Sequence, residues 1–138
     1  MQSNPPPRSA CPVAASLDIF GDRWTLLVLR DVLLAGRSRF SELVADEGIA
    51  TNTLSERLTR LQCQGLLSRE RDPKDGRKWI YKPTRAAVEL VPVLVEIMLW
   101  GSRHTAGQVP AEMLQAAVAD KAAFVAQLTA LAASRVAA

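Results

Sequence analysis

Apolar residues along this chain recur mainly three and four positions apart, the period of helices that bury one face. Pro12 is placed to open a helix running to about Phe20, which makes Cys11 its N-cap. Gly21 interrupts the pattern. Asp22 is positioned to cap a second helix, RWTLLVLRDVLLA, which is apolar around most of its circumference and so belongs at the centre of the fold. Gly36 ends it. FSELVADE reads as a short third helix and Gly48 as a turn. A fourth helix follows in TNTLSERLTRLQCQGLL, with Leu54, Leu58 and Leu61 on its buried face and Gly65 closing it.

The period then shortens. LLSRERDPKDGRKWIYKP holds two strand-like runs around Asp75-Gly76, a hairpin signal. Thr84 is set to cap a long helix through RAAVELVPVLVEIMLWGSR, with a kink expected at Pro92. After a Gly and Pro break at 107–110, an Ala-rich helix is expected from about Ala111 to Ala133. Leu114, Ala117, Phe124, Leu128 and Leu131 form its stripe, interrupted by Lys121. This order predicts a mainly α (α+β) fold, a winged helix-turn-helix with a two-stranded β wing and extra helices at both ends. It divides the chain into a mobile arm at 1–10, a DNA-binding domain at 11–104 and a C-terminal Ala-rich helix at 105–138.

The polar side of the fourth helix changes the picture from fold to function. Solvated helix faces are mostly Glu and Lys, whereas this one carries Asn52, Thr53, Glu56, Thr59 and Arg60. These side chains pair with base edges: Asn with adenine, Arg with guanine, Glu with cytosine, and Thr methyls with thymine. Thr51 and Ser55 adjoin the face, and Arg57 flanks it. The bases therefore fall to Asn52, Thr53 and Glu56, with Arg57 and Arg60 for bases or phosphate. A protein-binding helix with the same solvent face is the alternative.

Charge supports the first reading. The net charge is only +3, but its excess lies wholly in residues 37–82, which hold ten basic and seven acidic side chains. Cations clustered on one segment displace counterions from phosphates. In the hairpin, Arg71, Lys74, Arg77 and Lys78 are phosphate candidates, with Arg77 also a candidate for the minor groove. Arg37 and Arg39, before the third helix, are candidates for the DNA backbone at its edge.

Cys11 is the one unusual chemical group. A thiol at a helix N-terminus faces the positive end of the helix dipole, and Arg8 is near in sequence. Both favour the thiolate and so a redox or electrophile sensor; a small buried hydrophobe is the plainer reading. Cys63 lies near a helix C-terminus and is expected to be inert. Two distant cysteines and a single histidine, His104, make neither a disulfide scaffold nor a zinc site. No catalytic constellation or phosphate-binding glycine loop points to an enzyme or a cofactor. MQSNPPPRSA lacks the apolar core of a secretory leader, and no apolar run reaches the ~18 residues of a membrane span. A cytoplasmic location is expected.

CPVAASLDIFGDRWTLLVLRDVLLAGRSRFSELVADEGIATNTLSERLTRLQCQGLL closely resembles the HxlR-type (DUF24) branch of the MarR-like winged helix-turn-helix transcriptional regulators. The telling pieces are Cys11-Pro12-Val13, GDRWTLLVLR around Trp24, RFSEL at 39–43 and LSERLTRL at 54–61. Tyr81, Thr84 and VPVL at 91–94 extend the likeness to about His104. The family often carries Ser-Pro where this chain has Ala50-Thr51, so Thr51 is expected to cap the recognition helix. The resemblance implies a repressor or activator that dimerises through its first and last helices and binds inverted repeats in double-stranded DNA. It also implies, as in several members, oxidant sensing by the cysteine matching Cys11. Two alternatives stand beside this: a small-molecule effector lodged between the central helices and the helix at 84–103, or a winged helix used only for protein contact.

Overall fold

The computed structural model describes residues 9–138, so most of the expected N-terminal arm, with Arg8, lies outside the described residues. Pro12 opens helix α1 (Pro12–Phe20) with Cys11 as its N-cap. The second helix, α2 (Thr25–Leu33), sinks Val28, Leu29, Val32 and Leu33 to 1% exposure or less, as its all-round apolar sequence requires. Asp22 holds its start: one carboxylate oxygen accepts from the Trp24 and Thr25 amides at 2.8 and 3.0 Å, and the other from the Thr25 hydroxyl.

The expected third helix does not form. Residues 40–48 are a run of turns. Val44 has φ +52, a left-handed conformation costly for a β-branched residue, and Gly48 follows at φ +69. The Val44 amide donates to Asp31 Oδ2 at 2.8 Å instead of to a carbonyl four residues back. In this turn two successive residues, Leu43 and Val44, both enter the core.

Helix α3 (Thr51–Cys63) buries Leu54, Leu58 and Leu61. Its N-cap is Ala50, without a side-chain cap, and Thr51 is already its first helical residue, against the expectation that Thr51 would cap it. Its C-terminus closes on Gly65 (φ +74). The Leu66 amide reaches the Leu61 carbonyl and the Gly65 amide that of Gln62, a Schellman ending whose two leucines are both buried.

Strands β1 (Leu67–Arg71) and β2 (Trp79–Pro83) pair antiparallel, with Leu67 opposite Pro83 and Arg71 opposite Trp79. Arg39 bridges Ile80, and the Tyr81 amide donates to the Ser38 carbonyl, tying the wing to the segment before the turns. The Thr84 hydroxyl donates to the Gly65 carbonyl at 2.6 Å and accepts from the Ala87 amide.

Thr84 does cap a helix, but a short one. Helix α4 (Arg85–Val88) stops at Glu89, and α5 (Val91–His104) starts afresh. Pro92 sits in the first turn of α5, where its missing amide costs nothing, so it begins a helix instead of kinking one. The Ala-rich tail is also two helices, α6 (Ala111–Ala119) and α7 (Lys121–Ala133), bent by 118°. Asp120 ends the first and caps the second, accepting from the Ala123 amide. The tail folds back on its own subunit: α7 packs on α2, α4 and α5, Lys121 pairs with Glu96, and Arg135 donates to the Leu33 carbonyl at 2.6 Å.

Candidate nucleic-acid interface

The leucine stripe of α3 is buried, so the opposite side of the helix faces out. Thr51, Asn52, Ser55, Glu56 and Thr59 are exposed; Thr53 and Arg60 are half-buried. Asn52 Oδ1 accepts from the Thr53 amide at 3.0 Å, and Arg60 lies 3.8 Å from Glu56. These donors and acceptors span about two turns on one face, the reach of a helix in a major groove.

The other arginines near α3 are held by carboxylates. Arg57 turns inward, its side chain 16% exposed, and donates to Asp22 at 3.0 Å and to Glu56. Asp22 thus joins the start of α2 to α3. Burial alone would raise its pKa, but hydrogen bonds from Thr25, Trp24 and Arg57 outweigh that and hold it well below the usual carboxylate range. Arg37 donates to Asp46 at 3.1 Å and to the Glu42 carbonyl and lies 3.4 Å from Asp31. Arg30 grips Glu47 with both terminal nitrogens and Asp31 with Nε. Asp31 and its arginines therefore fix the turn segment that leads into α3.

In the wing, the loop between the strands is seven residues long and closes on itself, the Asp72 amide donating to the Lys78 carbonyl. Asp72 is 5% exposed and binds Arg39, whose guanidinium lowers the carboxyl pKa. Arg77, almost fully exposed, chelates Asp75 at 3.1 Å; Lys74 and Lys78 are exposed. Arg71 does not simply project into solvent. It and Arg69 stack on Trp79, their guanidinium carbons 3.7 and 3.9 Å from a ring centroid. Sequence reasoning missed Arg69 and Trp79. The alternation Leu67, Arg69, Arg71 was the available signal, since alternate strand residues share a face.

Cys11 is exposed. Its thiol pKa is lowered, first by the Ala14 amide and then by that of Val13, the free N–H groups of the helix start. Cys63 is exposed at the end of α3. Among the described residues no group of three or more His, Cys, Asp or Glu is arranged to hold a metal, and no single helix is long and apolar enough to cross a membrane. An apolar groove of about 450 Å³ lies between α2 and α5, walled by Leu26, Leu27, Leu94, Met98 and, from α6, Met113.

The sequence profile of a family described as HxlR-like helix-turn-helix matches residues 19–109. Rv3095 of Mycobacterium tuberculosis, an uncharacterized HTH-type transcriptional regulator, is 37% identical over 92 residues, 67% of this chain and 58% of that protein. The chain thus spans less than two thirds of that relative. YvaP of Bacillus subtilis, of the same description, is 34% identical over 63% of this chain and 81% of its own. Among solved structures, PA1607 is 33% identical with TM-score 0.66, over 75% of this chain and 72% of that one. The reduced form of the transcriptional regulator YodB from B. subtilis is 28% identical with TM-score 0.56, over 72% of this chain and all of that one.

Proposed function

The chain belongs to the HxlR-like helix-turn-helix family and is a transcriptional regulator with a helix-turn-helix DNA-binding domain, and from that premise we propose that it acts as a homodimer on an inverted repeat. The observation that carries this is the face of α3. It is exposed, is built of base-pairing side chains, and stands on a frame locked by Asp22 and Asp31. Asn52, Thr53 and Glu56 read bases, with Arg60, Thr51 and Ser55 at the edges. Lys74, Arg77, Lys78 and Arg71 bind phosphates along the wing, with Arg39 at its root. Arg37 and Arg57 brace the frame.

Dimerisation has its own support. Val13 and Leu17 on α1 are 68% and 54% exposed, and Ile97 and Trp100 on α5 are 49% and 57% exposed. Apolar faces of this kind on α1 and α5 are suited to a two-fold contact. Such a dimer sets two recognition helices about 34 Å apart, one DNA turn. Relatives such as Rv3095 and YvaP are bacterial, and the DNA of a bacterium lies in the cytoplasm.

The signal is oxidation or alkylation at Cys11, supported by its exposure, its place at the start of α1 and its lowered pKa. YodB has been solved in both reduced and diamide-treated forms. A second reading, an apolar effector in the groove between α2 and α5, is favoured by that groove itself. The test is light scattering and salt-dependent DNA binding of the reduced protein, repeated with Cys11→Ser. We expect two protomers per particle, affinity falling steeply with salt, and an oxidant response only with Cys11 present. A monomer, or a full response in the variant, overturns the corresponding part.

A further inference from the structure

On the wing, the face that buries Leu67, Tyr81 and Pro83 at its root continues outward as Arg69, Arg71 and Trp79, because alternate residues of paired strands share a face. Beyond Tyr81 the face reaches the edge of the core, where Trp79 is only partly buried and carries two guanidinium groups stacked on its indole, 3.9 and 3.7 Å from a ring centroid.

The way these arginines are held differs from the rest of the basic segment. Arg37, Arg39, Arg57, Arg60 and Arg77 each face a carboxylate that offsets charge and, for all but Arg60, takes up N–H donors. Among the described residues Arg69 and Arg71 make no such pair. Glu70, between them, points to the other face and is tied to Lys82 at 2.7 Å. Stacking engages the flat face of a guanidinium and leaves its edge donors free. The pair is therefore ordered, charged and still able to make bidentate bonds to phosphate oxygens.

We propose that Trp79 is a positioning residue for DNA binding, holding Arg69 and Arg71 as a pre-set phosphate clamp on the wing. The proposal rests on the reading above, in which the wing lies on the DNA backbone. Arg77 and Lys78 line, with Trp79, Phe40 and Ser41, a cleft of about 330 Å³ beside the ring, so the clamp sits among further cations. Phosphate contacts carry no sequence information, so the clamp contributes equally on every duplex.

The test uses the full chain, reduced, with a mixed-sequence duplex, measuring affinity against salt by fluorescence anisotropy and thermal melting of each variant. Trp79→Leu keeps apolar bulk without a π face and should weaken binding about five- to twenty-fold. Trp79→Tyr keeps a ring and should restore most of it. Arg69→Ala and Arg71→Ala should each lower the salt slope by about 0.9. With both arginines replaced, Trp79→Leu should add nothing, an outcome that a general loss of wing structure would not give. Wild-type affinity in Trp79→Leu, or an undiminished effect without the arginines, overturns the proposal. If the wild-type protein shows no salt-dependent affinity, the DNA-binding reading itself fails, and the two failures are thereby told apart.

Discussion

Replacing Asp31 by alanine should be among the most damaging single changes outside the apolar core. The carboxylate is 2% exposed and serves three partners: the Val44 amide at 2.8 Å, Arg30 Nε at 2.9 Å and Arg37 at 3.4 Å. Val44 is itself fully buried, so its orphaned N–H would cost about 1–3 kcal/mol. The two arginines are about one-third exposed and keep Glu47 and Asp46, so losing Asp31 costs about 0–1 kcal/mol at Arg30 and little at the more distant Arg37. The sum is about 1–4 kcal/mol, a substantial part of the ~5–15 kcal/mol that holds a domain together. Asp31→Asn keeps an acceptor for Val44 and should cost about half as much. Guanidinium denaturation at one fixed protein concentration measures both, since assembly shifts apparent stability. Asp31→Ala within about 0.5 kcal/mol of wild type, or Asn worse than Ala, would refute the assignment of this carboxylate as the anchor of the turn before α3.

Other outcomes follow from the same frame. Asp22 has its pKa depressed in the fold, so its stabilisation is complete above the unfolded value of about 3.9 and is lost as pH falls below it; Asp22→Asn should be less stable at neutral pH and lose less on acidification, read by urea melts from pH 7 to 3. The Cys11 thiol should alkylate with a pH midpoint below the ordinary value of about 8.5 in a Cys63→Ser background, and a midpoint at or above it contradicts the helix-start assignment. Gly36 has φ +70, and an added Cβ would meet the Arg135 guanidinium at 3.0 Å; Gly36→Ala should cost about 1–2 kcal/mol, and less in an Arg135→Ala background, by thermal melting.

Much of the fold was legible because its signals are local. Pro12 and Cys11 mark the start of α1, the Leu54, Leu58 and Leu61 stripe marks α3, and Thr84 caps the helix after the wing. Where the sequence misled, a distant partner or a single capping residue decides. FSELVADE has helical periodicity, but Asp31, thirteen residues earlier, takes the Val44 amide. The stripe through the Ala-rich tail ignores Asp120, which turns the chain so that Ala117 and Phe124 are buried while Leu131 stays 48% exposed. The exposed polar face of α3 was legible in its composition. Its bracing was not: Arg57 with Asp22 and Arg39 with Asp72 join residues more than thirty apart, and no periodicity records them.

The most direct measurement is selection of duplexes from a random pool by the reduced protein, with Asn52→Ala and Arg77→Ala in parallel. The account predicts an inverted repeat with half-sites about one helical turn apart. Asn52→Ala should relax one position in each half-site, and Arg77→Ala should weaken all sequences alike. A pool with no motif above salt-sensitive background would contradict sequence reading by α3, and a motif without two-fold symmetry would contradict the dimer.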